Sequence, residues 1–203
     1  MKKTYKMLVI LVAAAFALAL TACGSSGEAP DAQGSQETNQ QSSAPAEQSA
    51  PAKESSAKTG IDGNVYTNAE YGFTFTLPEG WSFGDEDGCA MFCSNEESEN
   101  VAILTVDGVA LSNEEIKGQL EDAVNSLSER SDIDQDSVEF KVDTINFLGR
   151  DVPYLTLFTK LNGQGVQMAQ FAYSVEGEGT VFINLTGIHD GTLDTLYGSF
   201  QPL

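Results

Sequence analysis

Apolar and polar side chains alternate along one stretch near the middle of the chain. Tyr71, Phe73, Phe75 and Leu77 are separated by single Gly or Thr residues. Because successive side chains of a β-strand point to opposite faces, this alternation predicts a strand with one buried face. Pro78 has no backbone N–H for a sheet hydrogen bond, so we expect the strand to end there.

Further apolar segments have the length and composition of strands. Cys89–Cys93 and Val101–Val106 are two of them, and Val101–Val106 is apolar on both faces, as is typical of a central strand. Turn-forming residues separate four later β-rich segments, 138–147, 152–161, 166–175 and 180–187. The apolar phase slips inside the first and the third of these four, and we interpret both slips as bulges.

Two helices are predicted between and after these strands. Ser112-Asn113-Glu114-Glu115 is a capping box, the signature of a helix N-terminus. Apolar residues follow it at helical spacing, at Ile116, Leu120, Val124 and Leu127. A short closing helix is predicted with Asp190 as its N-cap. Together these elements predict the α+β class, an antiparallel β-sheet covered by helices.

The N-terminal residues show another pattern. Three lysines precede an apolar run, Met7–Leu20, which has the length of a signal-peptide core and is too short to span a bilayer comfortably. The run ends in Leu20-Thr21-Ala22-Cys23, which resembles a bacterial lipoprotein lipobox. The resemblance implies that residues 1–22 are a signal peptide, and that Cys23 is the diacylglyceryl-modified N-terminus anchored at the extracytoplasmic face of the cell membrane. The alternative is an ordinary secretory signal in which Cys23 has no role.

Composition divides the rest of the chain into a tether and a domain. Residues 24–60 contain no aromatic and no branched aliphatic residue, so they cannot bury enough apolar surface to fold. We expect residues 23–60 to be a lipidated cysteine and a disordered linker, with a span of roughly 30–37 Å. Residues 61–203 hold most of the aromatic residues and have the usual size of one domain.

Charge restricts the partners of this domain. Of the 30 acidic and 10 basic residues in the chain, 25 acidic and 5 basic residues lie in 61–203. Such an excess of negative charge argues against nucleic acid, which is bound through Lys and Arg, and against adhesion to anionic lipid. It permits cations or basic partners.

A second resemblance rests on Leu77-Pro78-Glu79-Gly80-Trp81 and the aromatic strand before it. An aromatic strand that runs into Leu-Pro-x-Gly-Trp resembles the first strand of the PsbP-like fold. The resemblance implies an α+β sandwich that binds protein partners and does not turn over substrates. By analogy with that family, the open sheet edges and the loops around Trp81 are candidate binding surfaces.

Catalytic signals are weak. His189 is the only histidine of the chain, and no Gly-x-Ser-x-Gly elbow accompanies it, so we predict a role at the surface beside the helix cap and no enzyme activity. Cys89 and Cys93 form a disulfide only if the residues between them turn, since a regular strand separates their α-carbons by about 13 Å. As residues i and i+4 of a strand they would instead share one face as free thiols.

Acidic runs are the candidates for a divalent cation, and no other cofactor is expected. Asp132, Asp134 and Asp136 alternate like the start of a calcium loop, but Ser137 replaces the glycine of the sharp turn. Asp85 and Asp87 form a second acidic run. Solvated acids without a metal are the favoured interpretation of both.

The function that these observations predict is a membrane-anchored, non-enzymatic protein-interaction module, whose partner is an envelope or membrane protein. The alternative is a lipoprotein that binds a divalent cation or a small ligand in connection with transport. A hydrolase is a third hypothesis, and the exported location is its one support.

Overall fold

The computed structural model describes residues 58–127 and 133–203. The elements in these ranges are β1 (Gly60–Asp62), β2 (Val65–Asn68), β3 (Phe73–Thr76), β4 (Trp81–Gly84), β5 (Met91–Asn95), β6 (Asn100–Asp107), α1 (Asn113–Leu127), β7 (Ile133–Phe147), β8 (Arg150–Leu161), β9 (Gln164–Val175), β10 (Gly179–Gly187), α2 (Thr192–Gly198) and β11 (Phe200–Pro202). The predicted signal peptide, Cys23, most of the tether and Asp132 lie outside the described residues.

The strands form two antiparallel sheets. The larger sheet has seven strands in the order β4-β5-β6-β10-β9-β8-β7, and the smaller has four in the order β1-β2-β3-β11. The central strands β6, β9 and β10 of the larger sheet are largely buried on both faces, which agrees with the continuous apolar pattern of Val101–Val106.

An aromatic core lies between the two sheets. The smaller sheet contributes Phe73, Phe75 and Phe200, and the larger sheet contributes Phe147 and Phe171. The ring centroids of Phe75 and Phe200 are 4.8 Å apart, and those of Phe147 and Phe171 are 4.6 Å apart, both within the range of favourable aromatic pairs. The alternation of Tyr71–Leu77 therefore correctly predicted a buried face.

A second core fills the other face of the larger sheet, where α1 packs. The predicted apolar stripe of α1 is buried at Ile116, Leu120, Val124 and Leu127. The capping box is also confirmed. The N–H of Glu115 donates to the Ser112 hydroxyl at 3.3 Å, and the Glu115 carboxylate accepts from the Ser112 N–H at 2.9 Å.

The predicted fold class, an α+β sheet covered by helices, is wrong. The chain is mostly β, with two packed antiparallel sheets and two short helices in the part that the structure describes. The error lies in the partners of β3, which pairs with β2 and with the C-terminal strand β11. Alternation shows that one face of a strand is buried, but it does not show which sheet the strand joins. The smaller sheet thus covers one face of the larger sheet, where we expected helices.

Three local predictions also differ from the structure. Neither predicted bulge exists, since β7 and β8 stay in register from Glu139 to Phe147 and β9 pairs with β10 without a shift. The alternation of apolar and polar residues is interrupted in β7 because this strand is an exposed edge. It is interrupted in β9 because this strand is buried on both faces, so neither strand needs strict alternation. The N-cap of α2 is Gly191, and not Asp190.

Two buried carboxamides lie side by side in the larger sheet. Gln170 of β9 is directly opposite Asn184 of β10, and both side chains are buried. Gln119 on the buried face of α1 is a third such residue. None of their amide nitrogen or oxygen atoms has a hydrogen-bond partner in the described part of the chain. A buried amide without a hydrogen-bond partner costs free energy of folding.

The Gln170→Leu variant is therefore expected to gain about 1 kcal/mol in free energy of unfolding, because leucine has a similar size and needs no hydrogen bond. Urea unfolding of the parent and variant measures the gain. Gln164→Leu, at an exposed position of the same strand, is the matched control and should change the value by less than about 0.5 kcal/mol. A loss of stability in Gln170→Leu would show that the amides bind internal water or a ligand.

Candidate docking surface

β7 is the longest strand and forms one edge of the larger sheet. It pairs with β8 on one side, and among the described residues no strand pairs with its other side. β7 has 15 residues, whereas β4 at the opposite edge has four. A long row of unpaired N–H and C=O groups is a template for another strand, and natural proteins usually shorten or cover such edges.

The pairing of β7 with β8 is irregular near the start of β7, and Ser137 forms hydrogen bonds across this irregular part. The register with β8 shifts between Asp134 and Glu139. In this interval the Ser137 hydroxyl accepts a hydrogen bond from the Lys160 N–H at 2.8 Å and donates one to the Asp134 carbonyl at 2.6 Å. The residue that departs from the calcium-loop pattern thus bridges β7 and β8 where their register shifts.

A shallow groove of about 350 Å³ lies beside this edge. Glu139, Phe158 and Gln167 form one cross-strand row, so their side chains share a face of the sheet. The next row on that face holds Lys141 and Thr156. The groove is lined by these five residues and by Leu193 of α2, together with Phe140, Leu157 and Met168.

Two aromatic side chains are exposed on the strands of this edge. Phe140 of β7 is 54% exposed, and Phe158 of β8 is 37% exposed. They point to opposite faces of the sheet, because Phe140 is directly opposite Leu157 of the second core. An ideal Cβ on Gly165 lies 3.4 Å from the Phe158 ring, so this ring covers the neighbouring strand. The edge therefore presents apolar surface on both faces.

The charge of β7 is negative. Asp134, Asp136, Glu139 and Asp143 oppose a single Lys141. The Lys141 ammonium lies 2.6 Å from the Asp143 carboxylate and lowers the pKa of that carboxyl. The other three carboxylates are exposed, and they give the free edge a net negative potential.

The candidate cation ligands that the structure describes, Asp134, Asp136, Asp85 and Asp87, lie at opposite edges of the larger sheet. Asp134 and Asp136 lie on β7, and the Asp136 N–H donates to the Asp134 carboxylate at 3.2 Å. Asp85 and Asp87 are exposed in the loop after β4, at the opposite edge of the sheet. Across residues 58–127 and 133–203, no three His, Cys, Asp or Glu side chains are grouped so that they could hold a metal ion.

The two cysteines of the domain are unbridged and lie in different cores. Cys93 is fully buried in the aromatic core, whereas Cys89 packs against the second core. Burial raises the pKa of Cys93 to about 12 and, together with Glu86, that of Cys89 to about 11, so both stay protonated thiols of low reactivity. The expectation that they share one face was wrong, because the regular strand begins only at Met91.

His189 lies in the loop between β10 and α2, and its side chain is largely exposed. Its Nε2 is 2.8 Å from Oε2 of Glu97, which is exposed as well. This contact pairs two surface side chains of neighbouring loops, and it becomes an ion pair when the imidazole is protonated.

A buried carboxylate lies below the loops around Trp81. Glu99 and Trp81 line a depression of about 280 Å³ together with residues of α2. Oε1 of Glu99 accepts hydrogen bonds from the N–H groups of Ile188 and His189 and from the Thr192 hydroxyl, at 2.7 to 3.1 Å. The carboxylate therefore joins the β5–β6 turn to the loop before α2. Sequence reasoning missed it, because these three donors come from a segment about 90 residues away.

Hydrogen bonds to the Glu99 carboxylate outweigh the effect of burial on its pKa. Burial raises its pKa, whereas hydrogen bonds from Ile188, Thr192, His189 and Asn95 lower it, and the net pKa lies below the usual 4.5. The ionised carboxylate is therefore the form that the fold stabilises. Its contribution is fully present above the unfolded-state pKa and is lost as the pH falls through the folded-state pKa.

Glu99→Gln is expected to lower the free energy of unfolding at pH 7 by about 2 kcal/mol, because a neutral amide accepts weaker hydrogen bonds and places an NH₂ against backbone or amide donors. The difference between parent and variant should shrink as the pH falls below about 4. Urea unfolding at pH 7 and pH 3 measures both effects. The exposed neighbour Glu96→Gln is the control, and a difference that stays constant with pH would show that ionised Glu99 has no special role.

In the part of the chain that the structure describes, no helix is long and apolar enough to cross a membrane.

Comparison with known proteins gives distant likenesses. No family model matches the sequence, and no curated protein matches it. A crystal structure from Bacteroides thetaiotaomicron VPI-5482 is similar with 15% identity and a TM-score of 0.44, over 70% of this chain and 49% of that one. LpqN of Mycobacterium tuberculosis, described as involved in cell envelope biogenesis, is similar with 14% identity and a TM-score of 0.40, over 69% of this chain and 80% of that one.

This chain thus spans about half the length of the Bacteroides protein. At these identities and TM-scores, neither likeness assigns a family or a function to it. The lipobox and PsbP-like resemblances stay predictions from the sequence.

Proposed function

We propose that the chain is a lipid-anchored lipoprotein at the extracytoplasmic face of a bacterial envelope, whose domain binds another envelope protein and catalyses no reaction. The free edge of β7, with the groove and the exposed Phe140 and Phe158 beside it, is the observation that carries the proposal. An exposed edge with apolar surface is typical of a docking site.

The tether supports the same function. Lipidation of Cys23 restricts the domain to a layer near the membrane surface, and a linker of roughly 30–37 Å sets the thickness of that layer. Confinement raises the effective concentration of a membrane-bound partner, so a modest interaction through β7 is sufficient.

The experiment is chemical crosslinking in intact cells that express the full chain, followed by affinity recovery and mass spectrometry. We expect one envelope protein to be enriched, and we expect recovery to fall when Cys23→Ala removes the anchor at equal expression. The proposal would be contradicted if no envelope protein is enriched. Equal recovery with Cys23→Ala would contradict the part played by the anchor.

A further inference from the structure

We infer that the partner presents an extended, basic segment that adds to β7 as the next strand of the larger sheet. This inference rests on the proposed function and specifies its partner. Three features of the described residues support it: the open sheet edge at the regular part of β7, the sign of the charge on β7, and the groove on one of its faces.

The backbone provides the affinity. A strand added to an exposed sheet edge gains one row of main-chain hydrogen bonds, and the register from Glu139 to Phe147 is regular. The Thr144 N–H already donates to the Asp143 carboxylate and the Asn146 carbonyl already accepts from the Tyr197 hydroxyl, so a partner of about five residues would pair with the part from Glu139 to Asp143. The shift between Asp134 and Glu139 interrupts the edge N-terminal to this segment. The regular part of β7 therefore defines where the added strand begins.

The negative charge of β7 favours a partner segment with positive charge. Asp134, Asp136 and Glu139 are exposed on β7, and the single Lys141 is already paired with Asp143. A second copy of this chain would bring two acidic edges together, and the whole chain has a net charge of −20, so self-association through β7 is disfavoured. Lys or Arg of a different protein would face Glu139 at the start of the regular part, and Asp136 and Asp134 just before it.

The groove provides selectivity for side chains. Alternate residues of an added strand point to the face that carries Glu139, Lys141 and the groove. A volume of about 350 Å³ accommodates one large side chain, and Phe158 and Leu193 supply apolar contact for it. The inferred partner is thus a basic strand with an aromatic or large aliphatic residue on the face that meets the groove.

The probe is a synthetic peptide of about ten residues in which Lys alternates with Val and one central residue is Phe, a length that spans the regular part of β7. Calorimetry with the full chain in nonionic detergent measures its affinity. We expect binding that weakens as salt is added. A peptide with Glu in place of Lys should not bind, and neither should a Lys peptide N-methylated at every second residue, which cannot form the ladder.

Two charge-reversed chains locate the site. Asp136→Lys with Glu139→Lys should weaken binding of the Lys peptide by about tenfold or more. Asp85→Lys with Asp87→Lys makes the same change of net charge at the opposite edge of the sheet and should leave the affinity within about twofold.

The inference would be overturned if the two variants behave alike, if the N-methylated peptide binds as well as the parent peptide, or if the Lys peptide does not bind. Crosslinking in cells distinguishes these failures from failure of the proposed function. An envelope protein that is enriched while the peptide does not bind would uphold the function and reject the basic strand.

Discussion

The Cys23→Ala chain is expected to leave the membrane fraction and accumulate as a soluble extracytoplasmic protein. The lipobox resemblance places two acyl chains on the Cys23 sulfur. At ~0.8 kcal/mol per buried methylene, two chains anchor a protein stably whereas one is marginal. Cell fractionation with immunoblotting measures the distribution.

Cys89→Ala is the matched control for this experiment. It also replaces a cysteine with alanine, but its thiol is partly buried in the folded domain, so the variant should stay with the membrane. A Cys23→Ala chain that still sediments with membranes would show that the lipobox assignment is wrong.

Gly179→Ala is expected to cause the largest loss of stability, about 3 kcal/mol, which corresponds to a fall of about 10 °C in Tm for a domain of this size. Gly179 begins β10 with φ at +136°, a conformation that L-residues rarely adopt. A Cβ there would lie 2.1 Å from the carbonyl oxygen of Val106 and 3.0 Å from the amide nitrogen of Gly108. Because both contacts are backbone atoms, β6 or β10 would have to move.

Gly177→Ala separates the two causes of that loss, which are the strained backbone conformation and the clash of the new Cβ with backbone atoms. Gly177 lies in the same turn with φ at +90°, but a Cβ there meets no atom within 4 Å. It should lose about 1 kcal/mol from backbone strain alone. Thermal unfolding of both variants measures the difference, and equal losses would contradict the close approach of β6 to Gly179.

Local periodicity predicted most of the individual elements. The apolar stripe from Ile116 to Leu127 and the capping box at Ser112 gave α1 with its correct start, since both signals depend on neighbours within four residues. Alternation and turn residues located β8, β9 and β10 to within about two residues. These elements depend on sequence neighbours, and a single sequence contains that information.

Pairing between distant segments could not be predicted in the same way. β3 and β11 are adjacent in the smaller sheet, although about 125 residues of chain separate them. Nothing in the local pattern of Phe73–Thr76 distinguishes a partner in the larger sheet from one at the C-terminus. This missing information explains why the fold class was predicted incorrectly.

The candidate site was predicted only in general terms. Open sheet edges were proposed by analogy, whereas Asp134 and Asp136 were interpreted as solvated acids, with a calcium loop as the alternative, before a shorter strand at 138–147. Both acids are exposed, and they belong to the edge strand itself, because β7 begins at Ile133 and not at residue 138. Edge strands are rich in charge because their residues face water, so the same residues that suggested a cation mark the edge.

Photo-crosslinking from β7 in living cells tests the central claim most directly. A photoreactive phenylalanine analogue replaces Phe140 in one anchored chain and Ile61 of the smaller sheet in another, and both positions are 54% exposed. We predict that the Phe140 position crosslinks to one envelope protein and that Asp136→Lys with Glu139→Lys abolishes the product, whereas Ile61 gives none. A product of equal strength from Ile61, or none from Phe140, would contradict docking at the edge of β7.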